Sequence, residues 1–391
     1  MEDRTRAYLR GRFRDHYRRV DVTAPPGADA REWGYIPWTE GPDTTMVRHR
    51  SLLDLGNLEK FLVRERPRHV YFSAGYYDDP SERTMDGKGW NGSDVVFDID
   101  ADHLPNITPG EDSYAEMLAA GKDHVLRLLD ILERDFGFED LTVVFSGGRG
   151  YHVHVRDEGA KRLEREQRRE IVDYVRGNEI DLDALVDEEV VSGVGVKNPT
   201  EKQTLPADGG WGRRVVEHLN EFVDELLALD EEDALFRLQT FDGIGEGRAE
   251  AILTVAEQRR EEIRRGNIDL HPAFKTLVKK LVGETVAEQS SAIDEPVTTD
   301  THRLIRLPGS LHGGSGLEVV RLGRDEIDDF DPLVDAVPET FTSHEITVDV
   351  EREYTLELLD ETFSVAPGEV TLPEYAGVFL MARGWAEKGR E

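Results

Sequence analysis

The sequence predicts an α/β fold in which strands and helices alternate through one core and a helical stretch interrupts them. Three observations carry that expectation. Runs of strand length and composition recur at 69–77, 94–100, 141–145 and 151–155, where β-branched and aromatic residues favour extended backbone. From about residue 158 to 290 the strand character gives way to charged, helix-like sequence, and strand-like segments return at 297–322 and 341–350. There is no internal repeat and no low-complexity tract, so neither a solenoid nor a disordered chain is indicated. The 391 residues accommodate two or three structural units. They divide as 1–160, a core's first part; 161–290, a mainly helical insertion; and 291–391, the core's second part.

Taken in order, the first twenty residues read as an amphipathic helix, with Tyr8, Phe13 and Tyr17 among seven arginines (Arg4, Arg6, Arg10, Arg12, Arg14, Arg18 and Arg19). That basic cluster fits either a solvated helix face or a phosphate-contacting one. Residues 22–43, with Pro25, Pro26, Pro37 and Pro42, read as an ordered but irregular connector. HVYFSAGYY at 69–77 and DVVFDID at 94–100 read as strands, and 115–136 as a helix. LTVVF at 141–145 and YHVHV at 151–155 are strands joined by the turn SGGRG.

Composition excludes several classes. With no cysteine, disulfides, Fe–S clusters and thiolate zinc sites are ruled out. The 81 acidic residues outweigh 48 Lys and Arg for a net charge of −33, spread along the chain without an acidic tail. This is expected of a halophilic protein, folded in a salt-loaded cytoplasm where screening removes most self-repulsion. No apolar run approaches the ~18 residues of a membrane span, and the arginine-rich start lacks the apolar stretch of a signal peptide. A soluble, cytoplasmic protein with no membrane partner is expected.

Three segments carry chemistry. In Asp94-Val-Val-Phe-Asp98-Ile-Asp100-Ala-Asp102, strand alternation puts Asp94, Asp98, Asp100 and Asp102 on one face and Val95, Phe97 and Ile99 on the other. Same-face carboxylates repel unless a cation lies between them, and Mg²⁺ favours such hard oxygen donors. A solvated strand end fits the same letters. In Ser146-Gly-Gly-Arg149-Gly-Tyr-His152-Val-His154, glycines and a guanidinium suit close approach to an anion, while an ordinary hairpin turn, or a zinc site on His152 and His154, fits as well. The third segment runs from Asp294 through Asp300, His302, Arg303 and Arg306 to Ser310 and His312. Its two cations and one imidazole before a Pro-Gly-Ser turn suit a triphosphate. No Walker-type G-x-x-x-x-G-K-[ST] occurs, which argues against a P-loop NTPase.

Together, VVFDIDADHLP, SGGRGYHVHV and VTTDTHRLIRLPGSLHG, in this order, closely resemble the catalytic small subunit of archaeo-eukaryotic DNA primases, in its archaeal and specifically haloarchaeal form. REWGYIPW at 31–38, MVRHRSL at 46–52, FLVRERPRHVYFSAGYYDDP at 61–80 and LPEYAGVFLMARGWAEKG near the end agree with it. The resemblance implies a primase-type mixed-sheet catalytic core with an inserted helical subdomain. It implies two-metal-ion nucleotidyl transfer, with Asp98, Asp100 and Asp294 holding Mg²⁺ or Mn²⁺. Asp294 matches the family's third aspartate by lying eighteen positions before His312; Asp300 is the local alternative. Ser146, Arg149, His152, Arg306 and His312 would match nucleotide-phosphate contacts. Many family members carry a zinc knuckle, but a chain without cysteine is not expected to bind zinc.

The implied partners are a primase large subunit in a heterodimer, a single-stranded DNA template, and NTPs with dNTPs as a second substrate class. The rival readings are a repair-type primase-polymerase that fills gaps and a non-catalytic single-strand-binding subunit. In the insert, Phe241-Asp-Gly-Ile-Gly-Glu-Gly-Arg resembles a helix–hairpin–helix glycine turn; a glycine helix cap fits it too.

Overall fold

The computed structural model describes residues 1–39, 45–108, 110–191 and 200–390. The end of the expected connector (40–43, with Pro42) and residues 192–199 of the expected helical stretch lie outside the described residues. The chain is a mixed α/β protein of two compact units. The first comprises Met1–Val125, Phe138–Val172 and Ala292–Glu391; the second comprises Leu126–Gly137 and Asp173–Ser291.

Helix α1 (Asp3–Tyr17) buries Thr5, Leu9, Phe13, His16 and Tyr17, a spacing of three and four that puts its arginines on the remaining faces. A strand, β1 (Arg31–Ile36), lies inside the stretch expected to be irregular. Prolines bound this segment without interrupting it, so its N–H groups are free for a ladder, and the burial of Trp33 holds it in place. There follow β2 (Val47–Arg50), α2 (Leu58–Glu65), β3 (His69–Tyr77), β4 (Trp90–Ser93), β5 (Val95–Asp100) and α3 (Tyr114–Arg134). Next come β6 (Leu141–Phe145) and β7 (Gly150–Val155); after the second unit, β8 (Leu304–Arg306) and β9 (Val320–Leu322) complete the core strands. The stretch 297–322 is thus less extended than the sequence suggests: Glu295–Thr299 is a short helix, with Asp294 at its cap and Pro296 in its first turn.

Two sheets form the core. One has the order β8-β3-β1-β2, with β4 also on β3; the other is β9-β6-β7-β5. All their pairings are antiparallel. In the second sheet Asp98 stands opposite His152 and Asp100 opposite Gly150. Val95, Phe97 and Ile99, with Tyr151, Val153 and Val155, are fully buried on one face. Period-two alternation sends Asp98, Asp100 and His152 to the other. A third sheet, made of Glu345–Val350 between Gly368–Pro373 and Ala386–Lys388, packs against the helix Glu374–Ala382.

The carboxylate row expected along 94–102 is divided by the fold. Asp94 precedes β5 and is fully buried, accepting from Arg31 (2.8 Å), Arg156 (3.1 Å) and the Tyr76 hydroxyl (2.8 Å). Asp102 lies beyond the strand, in the 3₁₀ turn Ala101–His103. Removing one partner of so deeply buried an ion network leaves an uncompensated charge, which makes Asp94 a core residue.

In the second unit α4 (Gly210–Ala228), α5 (Glu231–Gln239), α6 (Glu246–Gln258) and α7 (Pro272–Gln289) enclose Val215, Leu219, Ile252, Phe274 and Leu281. The glycine turn joins α5 to α6, with Gly243 at φ +84°, and α6 buries Ala249, Ile252, Leu253 and Ala256, a spacing of three and four that gives it one apolar face. An antiparallel hairpin of Asp187–Val191 and Thr200–Thr204 breaks the helical run, consistent with the β-branched residues at its ends.

A surface this acidic repels itself in dilute buffer, where the Debye length is long, and is relieved at molar salt, where it shrinks to about 3 Å. The thermal unfolding midpoint is therefore expected to rise from dilute buffer to molar KCl. A flat or falling midpoint would remove the halophilic account of the charge.

Candidate active site

The second sheet, the turn after β6 and the loop after β8 enclose a cleft of about 390 Å³. Seven of the eight residues singled out from the sequence line it: Asp98, Asp100, Ser146, Arg149, His152, Arg306 and His312. Asp294 is not among the lining residues. Its backbone N–H donates to the Asp98 carbonyl at 2.9 Å, which fixes it beside the β5 carboxylates.

The turn SGGRG is shaped by close approach. Gly147 has φ +72°, and a Cβ there would stand 2.7 Å from the His312 Cβ; a Cβ on Gly150 would stand 2.0 Å from the Ile99 carbonyl. Only glycine lets this turn meet both the His312 loop and β5. Ser146, buried, accepts a hydrogen bond from the Gly148 N–H. Arg149 is half-exposed and ion-paired with Asp102.

At the acidic end, burial first, then the charges of Asp100 and Asp294, push the Asp98 carboxyl up to about 6, against the pull of Arg306 and Arg303. His152 Nε2 stands 3.4 Å from Asp98. Arg306 lies at the basic end, 5.8 Å from the Tyr71 ring, and its Nε is buried with no acceptor among the described residues. Burial, and after it the Arg306 charge, hold His69, His152 and His312 well below the ordinary imidazole range. These rings are neutral. Nδ1 of His312 is engaged by Ser315 Oγ (3.1 Å) and the Gly314 N–H (3.3 Å).

His154 leaves the cleft: it stacks on Phe72 (6.1 Å) and turns toward Asp94 at 3.8 Å. His152 and His154 thus serve different carboxylates. Asp300 accepts from the His302 N–H at 2.9 Å and does not line the cleft. The sequence reading did not single out Arg68, Ser315, Arg383 and Trp385, which also line it. Arg68 donates to the Gly313 carbonyl (3.2 Å). Arg383 stacks over Tyr114 (4.2 Å), Phe379 and Trp385, with its Nε buried and without an acceptor among the described residues. Arg68 and Arg383 sit within quoted segments, but no local pattern separates Arg68 from Arg64 and Arg66.

The buried imidazoles set an acid limit on the fold. Burial holds His16 and His154 down at about 4, with His69 and His312 also depressed. Below about pH 6.5 the unfolded chain takes up protons that these buried rings resist, His16 and His154 until near pH 4, so stability falls as pH falls through that window. Asp98 and Glu318, raised to about 6 and about 7, oppose this, but they are fewer. The unfolding midpoint in molar KCl is expected to drop between pH 6.5 and 4.5; a rise would refute the neutral-imidazole assignment.

A partly buried cleft with strand-borne carboxylates at one end and guanidinium groups at the other defines an enzyme class that handles polyanions and cations together, as nucleotidyltransferases do. Comparison with known proteins bears on which one. The family model described as DNA primase small subunit matches residues 97–322. The chain is 65% identical to the DNA primase small subunit PriS of Halobacterium salinarum and 64% identical to that of Haloarcula marismortui. It is 43% identical to that of Methanothrix thermoacetophila, and all three alignments cover the whole of both chains. The chain belongs to the DNA primase small-subunit family, the catalytic nucleotidyltransferase subunits of replication primases.

Among the described residues no three His, Asp or Glu side chains form a ready metal cage, and no helix is long and apolar enough to cross a membrane.

Proposed function

We propose that this chain, paired with a large subunit in the cytoplasm, makes short primers on single-stranded DNA from NTPs, with dNTPs as a second substrate class. The observation that carries this reading is the meeting, in one cleft, of paired carboxylates and an arginine, Arg306, whose Nε finds no acceptor among the described residues. The family uses divalent metal, and the residues here fit it: Asp98, Asp100 and Asp294 offer hard oxygen donors whose mutual repulsion, which adds to burial in raising Asp98, a cation would relieve. These three would hold Mg²⁺ or Mn²⁺, which when bound lowers the barrier to attack by a 3′-hydroxyl and offsets charge on the leaving pyrophosphate. No zinc is assigned to this chain.

The protein's own contribution is binding and orientation. Arg306 presents its unpaired guanidinium edge to the triphosphate, where a charge-assisted bidentate contact is strong and directional. Arg149 and Ser146 approach from the glycine turn. His152 and His312, kept neutral, add hydrogen bonds without competing as cations for the carboxylates. As the primer oxygen bonds to the α-phosphorus, the bond to the β-phosphate oxygen breaks, and these groups are already placed where charge accumulates.

Primer synthesis on single-stranded template, with and without the large subunit in high KCl, tests the proposal. De novo product is expected. Extension of a supplied primer without initiation would make it a gap-filling enzyme, and no incorporation at all would make it non-catalytic.

A further inference from the structure

We propose that the arginine face of α1, continued by Arg66 and Arg68, is the track that grips the phosphate backbone of the single-stranded DNA template beside the cleft. The inference rests on the proposed function and names the surface that serves it.

Arg10, Arg14 and Arg18 recur every four residues, so they share one face of α1, spanning about 12 Å of helix. Helix α1 packs against α2, whose C-terminal cap is Arg66 in the left-handed region at φ 52°. Burial first, and then the charges of Arg10, Arg14 and Arg18, lower Arg66 against the pull of Glu65, a pile-up of like charge on a chain of net −33. Neighbouring acids only partly answer it. Asp15 is drawn to Arg12 (2.8 Å), Arg18 (3.6 Å) and Arg14 (4.0 Å), and Glu374 takes Arg12. Arg10 and Arg66 form no ion pair among the described residues, although Glu65 draws on the Arg66 charge.

Two donors show that the cluster is incomplete. The Nε atoms of Arg14 and Arg66 are buried without an acceptor among the described residues, and such orphan donors require an explanation. A phosphodiester oxygen docking on the outer, solvent-facing ends of these guanidinium groups supplies the missing negative charge. The track also leads to the chemistry: two residues after Arg66, Arg68 lines the cleft. At the C-terminal end of α1, beside Arg18, His16 and the Tyr17 hydroxyl bind the Gly309 carbonyl and the Leu311 N–H, next to His312. At molar salt, screening leaves only contact-range electrostatics, which suits guanidinium groups that dock phosphate by directed hydrogen bonds.

The test is the triple variant Arg10→Ser/Arg14→Ser/Arg66→Ser in the full chain, with folding checked by circular dichroism. Binding of fluorescent oligothymidylate is titrated against KCl. Affinity should fall at least about tenfold, and the slope of log K against log [KCl] should flatten by about 2, near 0.7 per lost contact. Synthesis at saturating template and the KM for NTPs should hold. The matching triple Lys variant should keep the slope and recover part of the affinity. Unchanged affinity and slope in the Ser variant would overturn the proposal. So would losing only binding to an RNA oligonucleotide, to the large subunit or to a second copy of this chain. If the unaltered protein synthesises nothing, the functional reading fails first, and both fall.

Discussion

Asp98→Asn or Asp100→Asn is expected to cut primer synthesis by on the order of 10²-fold or more, the scale on which essential electrostatic contacts act. Asparagine keeps the size and removes the charge that a cation needs, so the loss should appear in kcat with the fold intact by circular dichroism in high salt. Divalent-metal affinity should fall as pH drops through about 6, because Asp98 in the metal-free site is raised to about 6 by its burial and by Asp100 and Asp294 and must lose its proton before it can hold a cation. Asp294→Asn should be similarly severe. Asp300→Asn should be mild, since that carboxylate caps the His302 N–H instead. Asp102→Asn should act differently again. It frees Arg149 from its ion pair, so the nucleotide KM should move more than kcat. Near-normal synthesis by Asp98→Asn and Asp100→Asn would sink the metal reading. Activity in Asp294→Asn with loss in Asp300→Asn would transfer the third ligand to Asp300.

Arg306→Ala should raise the KM for NTPs by tenfold to about a hundredfold, the value of one or two hydrogen bonds between charged groups. It should leave single-stranded DNA affinity unchanged. A second effect follows from the electrostatics. Arg306 lowers the Asp98 carboxyl of the metal-free site, so its removal should move the acid limb of metal binding upward in pH. Arg306→Lys restores the charge and the limb, but not a bidentate contact, so the KM should recover only in part. A collapse of DNA affinity with nucleotide KM unchanged would show that Arg306 grips the strand. His312→Ala, removing a neutral donor, should be the smaller of the two losses.

Much of this was legible from local pattern. Alternation in 94–100 and 141–155 determined which side chains of β5 and β7 share a face, because a strand's period is two whatever packs on it. The absence of cysteine and the spread of acid likewise needed no fold to be read. Three arrangements did need it. Periodicity set Asp94, Asp98, Asp100 and Asp102 in one row, but tertiary packing buried Asp94 between Arg31 and Arg156 and turned Asp102 toward Arg149. A short proline-bounded segment became a strand because β3 was there to pair with it. Arg68 and Arg383 entered the cleft from segments far apart in sequence. Local rules describe a side chain's direction relative to its own backbone, whereas burial, charge pairing and convergence depend on which distant segment is packed against it. The sequence by itself determined the chemistry available to this protein; only the tertiary structure decided which carboxylates and guanidinium groups share a cleft.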